Sequence, residues 1–190
     1  MLEACAVIAA FLGVYLAARE NILNWLVGIV EALLYTYIFY KSQLYSDMIL
    51  NVVYLPIQVI GYISWAKRDQ RTHKKVFVIH KLKPLIFAIL FLVIIALAYL
   101  WSLFDSYFLH GEDPFLDSFV LISALAGQWL LIRKVLQCWY IWICVTSVSC
   151  YIFFLEGLYL SSFARIIFLA VAIYGLIFWY RRYREHLTKK

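Results

Sequence analysis

The chain has 190 residues, of which 66% are hydrophobic and only 15% charged, with a mean hydropathy of +0.85 and a net charge of +6. A soluble domain holds about 45–50% apolar and about 25% charged residues, and so short a chain cannot bury the excess. A water-soluble globule is therefore excluded, and the composition reads as an integral membrane protein.

Seven apolar runs approach or reach the roughly 20 residues that a transmembrane helix needs. The first, 4–18, is the shortest; it has no basic n-region or small-residue cleavage site before it and is expected to be a retained helix, not a signal peptide. The second, 22–40, carries Glu31. The third, 48–66, carries Asn51, Tyr54, Gln58, Tyr62 and Trp65 at spacings of 3, 4, 4 and 3, which forms one stripe on a helix. Pro56 lies inside it, and its missing N–H frees a carbonyl and favours a bend beside a cavity. The connection "KRDQRTHKKVFVIHKLK" (67–83) then leads to the fourth run, 84–104, which follows Pro84. A second long connection, "DSYFLHGEDPFLDS" (105–118), precedes the fifth run, 116–132, with Gln128 in "AGQWLLIRK". The sixth, 139–155, opens on "CWYIWICV" with Trp139 and Trp142 three residues apart and Thr146 four further on. The seventh, 158–180, contains Arg165. Strands are implausible, because an open sheet edge cannot be satisfied in lipid. The other joints are short, so the helices they link are expected as antiparallel neighbours.

Basic residues orient the chain. Of seventeen Lys and Arg, seven fall in 67–83, five follow the seventh run, two are Arg133 and Lys134, and one is Arg19. Seven spans with the N-terminus outside place all fifteen on one side, leaving Lys41 opposite and Arg165 within a span. The 105–118 connection holds four acidic residues and no Lys or Arg. The positive-inside rule then places the N-terminus out and the C-terminus in, which accounts for the net charge without a nucleic-acid partner.

The chain also repeats itself. Residues 24–68 overlie 138–182 at an offset of 114 without a gap, with 12 of 45 positions identical, among them Trp25/Trp139, Gly61/Gly175 and Trp65/Trp179. Both copies point the same way, and an odd number of helices must separate two like-oriented three-helix bundles. The expected architecture is all-α, seven transmembrane helices in a 3+1+3 parallel repeat. It divides into a first repeat (1–66), a basic cytoplasmic loop and linker helix (67–104), an acidic outer loop and second repeat (105–182), and a cytoplasmic tail (183–190). Parallel repeats are a transporter layout with a substrate site near the midplane.

Ionisable groups inside a membrane are costly and mark candidate sites. Glu31 reads either as a countercharge for a cationic ligand or as a structural partner of Arg165. Asn51, Tyr54 and Gln58 read as recognition groups for ribose or amide, or as interhelical hydrogen bonds worth about 0.6 kcal/mol each. Gln128 and Thr146 are similar polar groups. Trp139 and Trp142 fit an interfacial belt equally well as a clamp on a flat ring, where a cationic ring adds about 0.5–2 kcal/mol. The repeat separates them: Trp139 has a twin in Trp25, whereas Trp142 is matched by Gly28. A position shared by both copies reads as architectural, and one unique to a copy as substrate-facing. Trp142 is thus the stronger clamp residue, and Trp139 is expected to serve both roles. The cysteines form no C-x-x-C, the histidines show no metal spacing, and no phosphate-binding glycine loop is present. No cofactor, metal or ATP-driven step is expected. A membrane enzyme would need nucleophile, base or metal ligands at one depth, and the sequence offers none.

The stretches "LNWLVGIVEALLYTYIFYKSQLYSDMILNVVYLPIQVIGYISW" and "RKVLQCWYIWICVTSVSCYIFFLEGLYL" resemble the PnuC family of bacterial vitamin transporters, over essentially residues 18–182. The resemblance implies a 3+1+3 layout shared in outline with SWEET sugar transporters, a homotrimer in the inner membrane, and facilitated diffusion of nicotinamide riboside. It also implies a cytoplasmic kinase that traps the substrate downstream. The family's W-x-x-W is matched by Trp139 and Trp142, and its third-helix amide by Asn51. The chain departs from the family at Glu31, where a small or amide residue is common, at Thr146, where Asn or Asp is common, and at Tyr62-Ile63-Ser64 before Trp65. Sister branches carry thiamine or riboflavin. Thiamine, a cation whose aminopyrimidine suits a carboxylate such as Glu31, is the alternative substrate, and a SWEET-like sugar carrier is a third reading.

Overall fold

The computed structural model describes residues 2–43, 45–71, 79–108, 114–155 and 157–188; His73, Lys74, Lys75, His110, Glu112, Asp113, Lys189 and Lys190 lie outside them. The described residues form seven helices: α1 (Leu2–Ala18), α2 (Leu23–Lys41), α3 (Tyr45–Arg71), α4 (Pro84–Phe108), α5 (Pro114–Ile132), α6 (Cys138–Leu155) and α7 (Tyr159–Thr188). Proline opens both α4 and α5, where its missing N–H costs nothing because the first helical N–H groups have no partner inside the helix. Helix α3 runs on through Pro56.

Five helices, α2 and α4 to α7, are long and apolar enough to cross a bilayer. The expected first span, α1, is shorter than that standard. The 17 residues of α1 rise only about 26 Å at about 1.5 Å each. Helices α3 and α7 also continue to Arg71 and Thr188, beyond the expected ends at 66 and 180. The apolar pattern stops where charges begin, but Arg, Lys, Gln and Glu are good helix formers, so the backbone ladder continues past the hydrocarbon limit.

The chain forms two compact units, Met1–Phe77 and Val78–Lys190. In the first, α2 packs against α1 and α3; in the second, α5 packs against α4 and α6, and α7 against α6. The expected linker helix α4 thus belongs to the second unit.

The 114-residue offset recurs in backbone detail. Left-handed residues occur at Glu20 (φ 56°) and Lys134 (φ 54°), and again at Gln43 (φ 60°) and Gly157 (φ 75°). After α1, the Glu20 and Asn21 N–H groups donate to Ala17 and Leu16; after α5, those of Lys134 and Val135 donate to Leu131 and Leu130. Each is the Schellman pair of bonds, which satisfies carbonyls that a helix end leaves open. The turn at Gly157 has the same pair, from Gly157 to Phe154 and from Leu158 to Phe153.

Packing repeats as well. Trp25 meets Trp65 edge-on at 5.4 Å and 85°, and Trp139 meets Trp179 at 5.6 Å and 82°. All four indoles are essentially inaccessible. A Cβ on Gly61 would come within 2.3 Å of Trp25, and one on Gly175 within 2.7 Å of Trp139. Glycine at these two positions lets the indole lie directly on the facing helix backbone. A second glycine pair extends the match upstream of residue 24: a Cβ on Gly13 would meet Val27 at 3.8 Å, and one on Gly127 would meet Ile141, the equivalent of Val27, at 3.3 Å.

Candidate functional site

The first unit holds Glu31, Asn51, Tyr54 and Gln58, all half-buried. Glu31 projects from α2 toward α1, where a Cβ on Gly13 would stand 3.9 Å from its Oε2. Tyr54 on α3 lies within electrostatic range of the same carboxylate. The Gln58 amide lies over Gly28, so close that a Cβ there would meet its Nε2 at 2.6 Å and Oε1 at 2.8 Å. Glu31 and Tyr54 therefore share one region of this unit, with Gln58 four residues beyond Tyr54 on α3. Trp65, the last member of the α3 stripe, instead belongs to the buried contact with Trp25.

The second unit holds Gln128, Trp139, Trp142 and Thr146. Trp139 is 1% exposed in its contact with Trp179 and Gly175. Trp142 is half-buried. Its indole lies beside Gly127 of α5, where a Cβ would stand 3.4 Å from Cε2 and Nε1. Thr146 is buried, and its hydroxyl donates to the Trp142 carbonyl. With its only proton used inside the helix, Thr146 presents lone pairs to any other group. Gln128 is buried next to Gly127 on α5. Arg165 lies over the rings of Phe153 and Phe168, at 5.2 and 5.8 Å.

The two units thus place different chemistry on matched frames. At the position of Trp142 the first unit has Gly28, and at that of Gln58 the second has Ala172. The first unit carries its large group, Gln58, on α3, and the second carries its own, Trp142, on α6. Gly127, which leaves room for the Trp142 indole, was missed by the sequence reasoning; its alignment with Gly13 at the 114-residue offset was the available signal.

The chain matches the family described as Nicotinamide mononucleotide transporter over residues 1–181. It is 23% identical over 207 aligned positions to the Nicotinamide riboside transporter PnuC of Escherichia coli (strain K12), covering 97% of this chain and 87% of that protein. To the protein of the same name from Neisseria mucosa it is 25% identical, covering 97% and 74%. A shorter match, 25% identical over 83 residues, joins 44% of the chain to 39% of the Riboflavin/roseoflavin transporter RibM of Streptomyces davaonensis. The fold matches the crystal structure of the vitamin B3 transporter PnuC with a TM-score of 0.71 at 24% identity, covering 97% of this chain and 83% of that one. An all-helical chain with five bilayer-length apolar helices, matched to one family along nearly its whole length, belongs to the nicotinamide mononucleotide transporter family.

Proposed function

We propose that this protein carries nicotinamide riboside across the bacterial inner membrane by facilitated diffusion. Trp142 stacks on the pyridinium ring, Asn51 and Gln128 bond the ribose, and Glu31 offsets the positive charge. Tyr54, Gln58 and Thr146 supply further polar contacts, and Trp139 chiefly holds α6 in place. One observation carries the reading: on a frame that repeats residue by residue, Trp142 is unduplicated and half-exposed, while Trp139 is duplicated and sealed. Relatives over nearly the whole chain bear the name nicotinamide riboside transporter, which supports the substrate.

The proposal includes a 3+1+3 parallel repeat, for which the matched turns and Trp–Gly–Trp contacts speak, with the N-terminus outside and the C-terminus inside. It also includes a homotrimer, and a separate cytoplasmic kinase that makes uptake one-way. Thiamine is the second reading, favoured by the half-buried carboxylate of Glu31.

The test is a thermal-shift panel on purified protein with nicotinamide riboside, thiamine and riboflavin. A ligand specific to the folded state adds about 2.7 kcal/mol at a hundred times its Kd. The riboside is expected to raise the melting temperature, and to lose most of that shift in Trp142→Ala. A shift with thiamine alone transfers the assignment to thiamine. Proteoliposomes that move neither compound refute both.

A further inference from the structure

Residues 79–82, which lead into α4, are fastened to the turn between α5 and α6. The His80 N–H donates to the Lys134 carbonyl at 3.0 Å, and the Leu136 N–H donates to the His80 carbonyl at 2.8 Å. The side chain of Gln137 then continues this pairing. The Leu82 N–H donates to its Oε1 at 3.1 Å, and its Nε2 donates to the Leu82 carbonyl at 2.9 Å. The Gln137 amide thus stands in for a peptide group of a neighbouring strand, and it does so 4% exposed, with Ile79 only 2% exposed nearby in the segment.

The first unit serves as an internal control. Its equivalent turn forms the same backbone bonds around Glu20, yet the position of Gln137 is occupied by Leu23, 48% exposed. The turn and the start of the helix therefore do not require a glutamine. What Gln137 adds is attachment of 79–82 to the first turn of α6. Its backbone carbonyl accepts the Ile141 N–H at 3.3 Å. The side chains of Ile141 and Trp142 both lie against Gly127. A continuous path thus runs from Leu82 through Gln137 to the base of Trp142.

We propose that Gln137 is a positioning residue for Trp142: by locking 79–82 to the start of α6, it fixes the placement of the indole. This rests on the reading of Trp142 as the ring-stacking residue. The test uses the full-length protein with nicotinamide riboside as the probe. Gln137→Leu keeps the bulk and removes both bonds. It is expected to raise Kd about tenfold when Trp142 is present, and no more than about twofold in a Trp142→Phe background, because residues acting through one another are non-additive. An unchanged Kd, or the same factor in both backgrounds, overturns the proposal. So does undiminished hydrogen-exchange protection of the Leu82 amide in Gln137→Leu. Gln137→Glu keeps the acceptor and loses the donor; it carries the same comparison, with a smaller rise in Kd, if the leucine variant does not fold. Unaltered affinity in Trp142→Ala would instead refute the ring-stacking reading itself, while Leu82 exchange would still report on the attachment.

Discussion

Trp139 and Trp142 stand three residues apart on one helix in opposite surroundings. Trp139 is enclosed by Trp179 and the backbone at Gly175, whereas Trp142 has Gly127 on one side and remains partly accessible. Their replacements should separate accordingly. Trp139→Ala removes a fully enclosed indole and is expected to destabilise by about 3–5 kcal/mol, with ligand shift retained in whatever fraction folds. Trp142→Ala is expected to melt near the parent and to lose the shift. Thermal melts of the two variants with and without riboside check both, and the opposite pattern would exchange their roles. Gly127→Ala tests the same site more gently. The added methyl needs the indole or Ile141 to yield by a few tenths of an ångström. The expected loss of affinity is about threefold, well below the roughly hundredfold effect of a 1 Å misplacement.

Helix ends supply the next scale. Among the described residues, three of the four left-handed ones, Glu20, Gln43 and Lys134, are not glycine, although a side chain there costs about 1–2 kcal/mol. Gly157 is the exception, and nothing lies within 4 Å of a Cβ built on it. Gly157→Ala therefore isolates the backbone term, and a loss of about 1–2 kcal/mol is expected in detergent melts. Gln43→Gly at the matched, exposed position runs the other way. It removes the steric cost but frees the unfolded chain, for a net gain below about 1 kcal/mol. A gain in the first variant or a loss in the second would show that side-chain contacts, not φ, govern these turns.

For the whole molecule, fifteen of seventeen basic residues fall on one side of the proposed topology. A fluorescent protein fused after Lys190 should therefore be bright, and alkaline phosphatase at the same place inactive. The reverse result would invert the topology and turn the basic 67–83 connection outward. No energy-coupling motif accompanies the spans, so counterflow in proteoliposomes should persist when ionophores dissipate ion gradients. Collapse of counterflow under ionophores would require a coupling ion.

Much of this was already written in the chain. Membrane insertion follows from composition, because 66% apolar residues cannot be hidden from water by so short a chain. All seven helices follow from apolar runs, since in lipid the backbone must satisfy itself locally. The duplication was legible where large or exceptional residues mark it, at Trp25 and Trp139 or Gly61 and Gly175. Tertiary structure was needed where the sequence patterns coincide. Trp139 and Trp142 are the same residue in the same helix, and only the neighbours each one meets make one a core element and the other a candidate contact. Gln137 shows this most plainly: in sequence it is one polar residue before an apolar run, and its role appears only when Leu82, 55 residues away, presents both peptide groups to its amide. Composition and periodicity act through solvent and the local backbone, whereas a side chain's task depends on partners that folding brings from far along the chain.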